Sequence, residues 1–414
     1  MVFGDRRGGV RRSGIAALVA VFAVTAAACG SGGAGDGAAV PAATGTSQTG
    51  PSAQPQSATT AAGGAATPAA GAPYACDGSD LLASLSTRQK LAQMLVVGVT
   101  GTQDALDVVT SEQVGGVFVG SWTDPSMLTG GGAAAVHDAD IAAPPPMITI
   151  DEEGGRVSRV ADLIGPAPSA REVARTMSVD EAYRMALERG RKLRALGITV
   201  DFAPDADVSA QPDAAVIGDR SYSDDPQTVA DYAGAVARGL RDAGVHPVIK
   251  HFPGHGSSSG DSHNGAVSVP PLAQLQNRDL EPFRQLIAEQ PDVGVMVGHL
   301  DVPGLTDGVP ASLSPAAMTL LRDGTGYGAP PFDGVIFTDD LSGMGAISDT
   351  YSVPDAVAAA LGAGADVALW LTTDQVPAVL DRLEQEVDSG ALPIDRVDDS
   401  VVRIAKMKGI LACG

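Results

Sequence analysis

The most constraining feature of the chain is a regular alternation of short apolar segments with amphipathic stretches. Eight apolar segments have the length of buried strands, at 94–99, 116–120, 147–150, 198–202, 247–250, 294–299, 334–338 and 366–371. Helical periodicity occupies intervals between them, for example at 180–196, 227–242, 272–289, 353–361 and 375–387. Strands that alternate with helices favour right-handed βαβ units and a parallel sheet. Eight such units predict an α/β fold, a single-domain (β/α)8 TIM barrel over residues 76–414, within the usual barrel length of ~200 to over 400 residues.

The first 28 residues have the layout of an export signal. A basic start with two arginine pairs precedes an apolar run at 15–24, which is too short to span a bilayer. Three alanines then precede Cys29, as at a bacterial lipoprotein cleavage site. We therefore predict a lipoprotein signal peptide over residues 1–28 and lipidation of Cys29. Ordinary secretion with cleavage at the alanine run is the alternative.

Residues 29–75 consist mainly of Ala, Gly, Ser, Thr, Pro and Gln, with almost no large apolar side chain. Such a segment cannot bury enough apolar surface to offset the entropy that ordering it would remove. We predict that it is a disordered tether. The expected localisation is the outer face of the cytoplasmic membrane, in the cell envelope, where an exported protein is held by its lipid anchor.

Charge and cysteine content narrow the expected partners. A formal net charge of −22 disfavours nucleic acid and gives no attraction to anionic lipid, so the lipid anchor is the only membrane contact expected. No Cys-x-x-Cys zinc pattern occurs. With Cys29 set aside, Cys76 and Cys413 remain as one pair, which in an exported protein predicts a disulfide.

The clearest chemical signal is the string Lys-His-Phe-Pro-Gly-His-Gly-Ser-Ser-Ser-Gly-Asp-Ser-His at 250–263. A preceding apolar run places Lys250 and His251 at a strand end, where catalytic groups of parallel α/β proteins collect, whereas Asp261 and His263 lie on a Gly- and Ser-rich loop. An Asp two residues before a His can orient the imidazole as an acid or base. Asp-Ser-His alone is more simply a polar surface loop, but the full string at fixed spacing is much more specific.

This string resembles the signature of glycoside hydrolase family 3, in its single-domain β-N-acetylglucosaminidase branch and especially the actinobacterial lipoproteins. Motifs at 151–159, 218–222 and 335–341 agree with the family pattern, in order and near predicted strand ends. The resemblance implies that His263, oriented by Asp261, is the general acid/base and that Asp339 is the nucleophile. It also implies that five side chains hold the sugar: Asp151, Arg159, Arg220, Lys250 and His251.

Several polar residues near these motifs have less defined roles. Asp205 stands where the family usually has Val, and the sequence assigns it no role. Asp340 follows Asp339 on a strand, so the two side chains point in opposite directions and Asp340 is expected to be structural or a helper. His299 is interpreted as a core histidine satisfied by backbone groups. No metal is expected at the acidic run 151–153, because no His lies close to it in sequence.

The resemblance implies an exo-acting, retaining β-N-acetylglucosaminidase that releases terminal N-acetylglucosamine from peptidoglycan fragments, in cell-wall turnover and recycling, through a covalent glycosyl-enzyme. The expected substrates are N-acetylglucosamine-containing muropeptides or disaccharides; the expected state is a monomer, and no cofactor is expected. One alternative is a β-N-acetylglucosaminide phosphorylase, because a His acid/base presents less negative charge to phosphate than a Glu. The other is a non-catalytic sugar-binding lipoprotein.

Overall fold

The computed structural model describes residues 74–413, and the predictions for the signal peptide, Cys29 and the tether up to residue 73 lie outside this range. Its strands are β1 Tyr74–Ala75, β2 Leu95–Val99, β3 Gly116–Val119, β4 Met147–Ile150, β5 Val200–Asp201, β6 His246–Phe252, β7 Val267–Ser268, β8 Gly294–Val297, β9 Leu300–Asp301, β10 Ile336–Asp340, β11 Val367–Trp370 and β12 Leu411–Ala412. Its α-helices are α1 Ser79–Ser84, α2 Thr87–Gln93, α3 Thr102–Glu112, α4 Ser126–Thr129, α5 Gly132–His137, α6 Ala161–Ile164, α7 Ala170–Thr176, α8 Val179–Ala195, α9 Pro226–Asp242, α10 Leu272–Leu275, α11 Leu280–Glu289, α12 Pro315–Asp323, α13 Gly345–Ser348, α14 Val353–Ala363, α15 Val376–Ser389 and α16 Ile394–Met407.

Eight parallel strands close into a barrel, in the order β10-β11-β2-β3-β4-β5-β6-β8. They coincide with the eight apolar segments of the sequence, so the prediction of a (β/α)8 barrel is confirmed. Closure removes the free sheet edges that would otherwise expose unpaired backbone groups. It also brings the carboxyl ends of all eight strands to one rim, which is where parallel barrels carry their chemistry.

The barrel interior is filled by aromatic side chains from strands that are not neighbours. The rings of Phe118 and Phe202 stack at 5.9 Å between centroids, and those of Phe202 and Phe337 meet edge to face at 5.5 Å. These residues lie in β3, just after β5 and in β10, so their contacts cross the interior. The packed interior is a rigid floor beneath the rim.

Helices α8 and α9, beside the strands that carry much of the polar rim, pack closely against each other. A capping box begins α8, in which Ser178 and Glu181 each bind the other residue's backbone N–H. Glycine permits the close approach: a Cβ added at Gly190 would lie 2.7 Å from the Cβ of Ala243, and one at Gly239 would lie 2.7 Å from the Cβ of Ala186. A larger residue at either position would push the helices apart.

The helix predicted over 272–289 is divided by a turn at 276–279 into α10 and α11. Tertiary contacts explain the difference. Arg278 Nη1 donates to Ser257 Oγ at 2.5 Å. Asp279 packs against Gly254, where an added Cβ would lie 2.6 Å from the Cβ of Asp279. Packing against the loop that follows β6 therefore outweighs helical periodicity at this turn.

The two ends of the described chain lie together. β1 pairs in parallel with β12, and a disulfide joins Cys76 to Cys413 with their Cα atoms 4.7 Å apart. The backbone of residues 74 and 75, which directly precede Cys76, is held by this pairing. Among residues 74–413, no helix has both the length and the apolar character needed to cross a bilayer.

Candidate active site

Polar side chains from four barrel strands converge on the C-terminal rim. Asp151 directly follows β4, and the segment 205–207 follows β5. Lys250 and His251 lie in the last three residues of β6, and Asp339 is the penultimate residue of β10. The predicted strand-end positions are therefore on one rim, where these groups can act on one ligand.

Lys250 links two carboxylates at the centre of this rim. Its Nζ lies 2.6 Å from Asp151 Oδ1 and 2.6 Å from Glu153 Oε1, and its side chain is only 3% exposed. Burial alone would lower the pKa of Lys250, but the two carboxylates outweigh burial and raise it. The ammonium group is thus fixed and charged before any ligand enters.

Glu153 extends the network to Arg220. The Nε and Nη2 atoms of Arg220 each donate to a carboxylate oxygen of Glu153 at 2.8 Å. Burial acts to raise the pKa of Glu153, but Arg220 and Lys250 lower it well below its usual range. Glu153 lies in the acidic run 151–153, but the sequence pattern assigned it no role. Side chains alternate along an extended chain, so a functional Asp151 could have pointed to Glu153 on the same side.

Glu152 points the other way and organises the turn after β4. Its carboxylate accepts from Ser158 Oγ at 2.6 Å and from the backbone N of Arg159 at 2.7 Å, and it pairs with Arg189. This places Arg159 at the rim, where its Nη2 lies 3.6 Å from Asp151 Oδ2. Asp151 therefore lies between two cations, Arg159 and Lys250.

His251 is held by a buried aspartate that the sequence analysis also missed. Its Nδ1 lies 2.7 Å from Asp207 Oδ2, and its Nε2 lies 3.2 Å from Arg220 Nη2. Burial acts to raise the pKa of Asp207, but the charge and hydrogen bond of His251 outweigh it and lower that pKa. Arg220 thus contacts both Glu153 and His251. If it also binds the sugar, as predicted, it must do so while it keeps these two contacts.

Asp205 is buried beside the same network. Its Oδ1 accepts from the backbone N of Asp207 at 2.8 Å, while Oδ2 has no hydrogen-bond partner among residues 74–413. Burial, followed by the neighbouring Asp207 carboxylate, raises the pKa of Asp205 well above its usual value. The same Oδ2 atom lies 3.9 Å from Arg220 Nη2.

Oxygen and nitrogen ligand atoms of Asp205, Asp207 and His251 lie within 4.8 Å of one another, a spacing that a metal ion could bridge. The contacts around these atoms do not favour one. Asp207 and His251 are already joined by their 2.7 Å hydrogen bond, and the Arg220 guanidinium lies 3.2 Å from the imidazole. A cation there would displace that bond and face a fixed positive charge.

Asp339 and Asp340 have different environments. Asp340 accepts three hydrogen bonds from the turn that follows β10: Ser342 N at 2.8 Å, Ser342 Oγ at 2.7 Å and Gly343 N at 2.8 Å. Within residues 74–413, Asp339 accepts one hydrogen bond, from the backbone N of Asp340 at 2.9 Å. Burial alone would raise the pKa of Asp339, but His251, His299, this N–H and Lys250 lower it to about 2. The geometry leaves Asp339 as the ionised carboxylate available for chemistry.

His299 supports the end of β10. It is buried, its Nε2 donates to the carbonyl oxygen of Asp340 at 2.7 Å, and its Nδ1 lies 2.6 Å from Ser312 Oγ. The core interpretation of this residue matches its burial and its backbone contact, although its second partner is a hydroxyl group. Its position also fixes the backbone immediately beside Asp339.

The Asp261–His263 dyad forms on the loop between β6 and β7. His263 Nδ1 lies 2.7 Å from Asp261 Oδ1, and the same oxygen accepts from the backbone N of His263 at 3.0 Å. Burial acts to raise the pKa of Asp261, but these bonds and the imidazole charge together outweigh it and lower that pKa. The His263 side chain is 65% exposed, in contrast to the rim residues.

Buried contacts hold this loop against the barrel. The backbone N of His255 donates to Asp207, and its ring nitrogens lie 3.0 Å from Ser258 Oγ and 3.4 Å from Ser262 Oγ. Farther along, α13 packs on the dyad segment: a Cβ added at Gly345 would lie 2.9 Å from Gly265 N and 3.1 Å from the carbonyl oxygen of His263. The dyad therefore rests on the segment that follows Asp339.

Comparison with known proteins places this architecture among carbohydrate-cleaving enzymes. Residues 86–407 match the model of the glycosyl hydrolase family 3 N-terminal domain. Beta-hexosaminidase LpqI of Mycobacterium tuberculosis is 58% identical over 357 residues, which cover 85% of this chain and 91% of that protein. A family 3 glycosyl hydrolase structure from Mycobacterium smegmatis has a TM-score of 0.77 and 59% identity, covering 79% of this chain and 98% of that one. A family 3 β-N-acetylglucosaminidase from a Paenibacillus species has a TM-score of 0.72 and 35% identity, covering 79% of this chain and 62% of that one.

Proposed function

We propose that this chain, which belongs to glycosyl hydrolase family 3, is an exo-acting β-N-acetylglucosaminidase that releases terminal N-acetylglucosamine from peptidoglycan fragments. The observation that carries the activity is the 58% identity to a protein named beta-hexosaminidase, over 85% of this chain and 91% of that protein. At that similarity and coverage the activity transfers to the whole described domain. The peptidoglycan substrate is the more specific claim, and it follows from the family resemblance of the sequence motifs.

The proposed reaction retains the anomeric configuration. A carboxylate oxygen of Asp339 attacks the anomeric carbon, the glycosidic C–O bond breaks, and the leaving oxygen takes a proton from His263. Water then attacks the same carbon, gives its proton to His263 and releases Asp339. The low pKa of Asp339, about 2, supports the role of nucleophile, because the carboxylate is ionised across the neutral range.

Asp261 positions the acid/base in this scheme, and the strand-end network positions the sugar. Charged and polar groups lie around one rim, from Asp151, Arg159, Lys250 and His251. Arg220 contacts the His251 imidazole and holds it in place. Groups that are already paired need little rearrangement when substrate binds, so their dipoles stabilise the charge that develops in the transition state. No residue in this scheme requires a cofactor.

A chromogenic N-acetylglucosaminide tests the activity. Purified protein should release the aryl group and N-acetylglucosamine, the first-formed sugar having the β configuration, while Asp339→Ala protein is inactive. An α-configured first product would refute retention. The same assay with added phosphate separates the phosphorylase alternative, because that enzyme would form the sugar 1-phosphate and hydrolyse little. Saturable sugar binding without turnover would instead support a binding protein.

We propose further that the protein is exported, anchored through a lipid on Cys29 and active as a monomer. The Cys76–Cys413 disulfide supports an oxidising compartment outside the cytoplasm. A Cys29→Ala variant should lose lipid labelling and leave the membrane fraction, or fail to mature. Continued lipid labelling of that variant would refute the anchor. Light scattering of the released domain tests the monomer.

A further inference from the structure

A cavity of about 330 Å³ lies at the end of the barrel opposite the proposed active site. Its wall includes the first residues of three strands: Met147 of β4, Val200 of β5 and His246 of β6. The polar rim lies at the carboxyl ends of the same strands. At ~3.3 Å per residue, the four-residue step from His246 to Lys250 separates the two sites by about 13 Å along β6.

The cavity is lined by basic groups. Five nitrogen-bearing side chains contribute to its wall: His137, Arg194, Arg241, His246 and Lys408. Within residues 74–413, no Asp or Glu is among the lining residues. In a chain with a net charge of −22, such a cluster of basic groups is unusual and indicates an anion-binding site.

These charges are poorly compensated by the rest of the described chain. Arg241 Nε lies 3.6 Å from Asp242 Oδ1 on the surface, but Arg194 and Lys408 have no carboxylate within 4.0 Å among residues 74–413. Lys408 Nζ donates to Gln93 Oε1 at 2.8 Å, and His246 Nε2 has no hydrogen-bond partner in the same range. A buried polar atom without a hydrogen-bond partner is unfavourable unless a ligand supplies one.

The electrostatics agree with this geometry. Burial lowers the pKa of the Lys408 ammonium to about 7. Burial, followed by the positive charge of Arg241, lowers the pKa of the His246 imidazole to about 4. Both pKa values are lowered because no negative charge in the described part of the chain lies close enough to offset burial. A bound anion would raise the pKa of each group.

We propose that this cavity binds a compact organic anion carrying a phosphate or carboxylate group. The basic side chains would hold the oxyanion, and the apolar part of the wall, including Pro146, Val245 and Ile410, would contact its carbon skeleton. The volume lies at the lower end of the ~300–1,000 Å³ typical of ligand pockets, which suits a ligand of about monosaccharide size. This site is independent of the proposed glycosidase function.

Titration calorimetry of the purified domain tests the site, with inorganic phosphate and citrate as probes at constant ionic strength. Wild-type protein should bind one equivalent, and comparison of the two probes decides between a phosphate and a carboxylate ligand. Neutral N-acetylglucosamine should not compete with either probe. Absence of saturable binding by both anions up to about 10 mM, a concentration that would nearly fill a site with a Kd of about 1 mM, would overturn the proposal.

Variants locate the binding site. Arg194→Ala, on the exposed edge of the cavity, should weaken anion binding by about tenfold, the scale of one charge-assisted hydrogen bond. Arg191→Ala, on the same helix but outside the cavity, is the matched control and should bind as wild type. Equal losses in both variants would show a general surface-charge effect and overturn the proposal. Unchanged binding by an Arg194→Ala/Arg241→Ala double variant would place the anion elsewhere, with the same consequence.

Chemical labelling gives a readout that needs no substitution in the interior. An amine reagent at neutral pH should modify Lys408, and saturating anion should protect it, while the exposed Lys192 is labelled equally with and without anion. Peptide mass spectrometry measures both sites in one sample. Labelling of Lys408 that saturating anion does not change would contradict the proposal, even if calorimetry detects binding.

Discussion

The two groups of side chains assigned to catalysis are held in opposite ways. The middle of the rim network is buried and paired: Lys250 is 3% exposed between two carboxylates, and Glu153 is 5% exposed between two cations. The dyad lies on a loop, where His263 is 65% exposed and Asp261 is its orienting partner. Charge stabilisation is thus built into the barrel, whereas proton transfer is assigned to a group that meets the solvent.

This difference has an electrostatic consequence. Interactions among buried charges are screened little by salt, whereas an exposed ion pair is screened strongly. The rim can therefore hold a fixed field for the sugar and for Asp339 across conditions. The dyad can exchange protons with a leaving group and with water, because its imidazole is accessible. Each region can be weakened separately, and the effects should differ in size and kind.

Removing the nucleophile should have the largest effect. Asp339→Ala is expected to lower kcat by about four orders of magnitude or more, because no other described carboxylate at the end of β10 is available to attack. It should form no covalent adduct with a fluorinated glycoside, as judged by intact-protein mass spectrometry. Asp340→Asn is the matched control and should retain adduct formation. An active Asp339→Ala protein beside an inactive Asp340→Asn protein would reverse the assignment.

Removing the imidazole should have a smaller effect that depends on the substrate. His263→Ala is expected to lower kcat by about 10²–10⁴-fold on substrates with poor leaving groups, the usual contribution of general acid catalysis. Glycosylation by activated aryl glycosides needs little protonation and should be nearly unchanged. Burst kinetics must accompany the comparison, because the proposed deglycosylation step also uses His263. A burst rate that falls equally for both substrate types would contradict the acid role.

The sequence predicted the barrel strands because each is a short apolar run of the right length. It placed Asp151, Lys250 and Asp339 near strand ends and the Asp261–His263 pair on a loop. It did not identify Glu153 and Asp207, whose importance depends on partners far along the chain. Glu153 meets Arg220 across 67 positions, and Asp207 meets His251 across 44. Such pairings follow from strand order and packing, which local patterns do not contain.

Breaking the buried network should cost stability. Glu153→Ala removes one member of a buried ion cluster and is expected to lower the free energy of unfolding by about 3–5 kcal/mol. The exposed pair Glu188 and Lys192, 3.1 Å apart, supplies the control, because Glu188→Ala should cost about 0.5 kcal/mol or less. Denaturant unfolding measures both. Equal effects of the two substitutions would mean that burial does not strengthen the rim network.

Acidification should weaken the same region. The folded-state pKa values of Glu153 and Asp339 are lowered, the latter to about 2, so their contribution to stability is fully present above the unfolded values of about 4. It is lost as the pH falls from about 4 towards 2. Unfolding followed between these limits should show a shallower pH dependence in Glu153→Gln than in wild type. If the free energy of unfolding of the variant depended more steeply on pH than that of wild type, the lowered pKa of Glu153 would be contradicted.

The smallest expected effect comes from the contact between the two regions, at Gly345. An alanine there would place a Cβ 2.9 Å from Gly265 N and 3.1 Å from the carbonyl oxygen of His263, so the dyad loop must shift by a few tenths of an ångström. Since a misplacement of 1 Å costs about 10²-fold, kcat on poor leaving groups should fall by about threefold to tenfold.

A matched glycine isolates this effect. Gly362, in α14, has open space around the added Cβ, so Gly362→Ala should leave kcat unchanged. With Gly345→Ala, turnover of activated aryl glycosides should also stay near wild type, because Asp339 lies on the strand and not on the displaced loop. A comparable loss on both substrate types would mean that the shift reaches the nucleophile. In that case the rim and the dyad would move together, which would contradict the view that each can be changed without affecting the other.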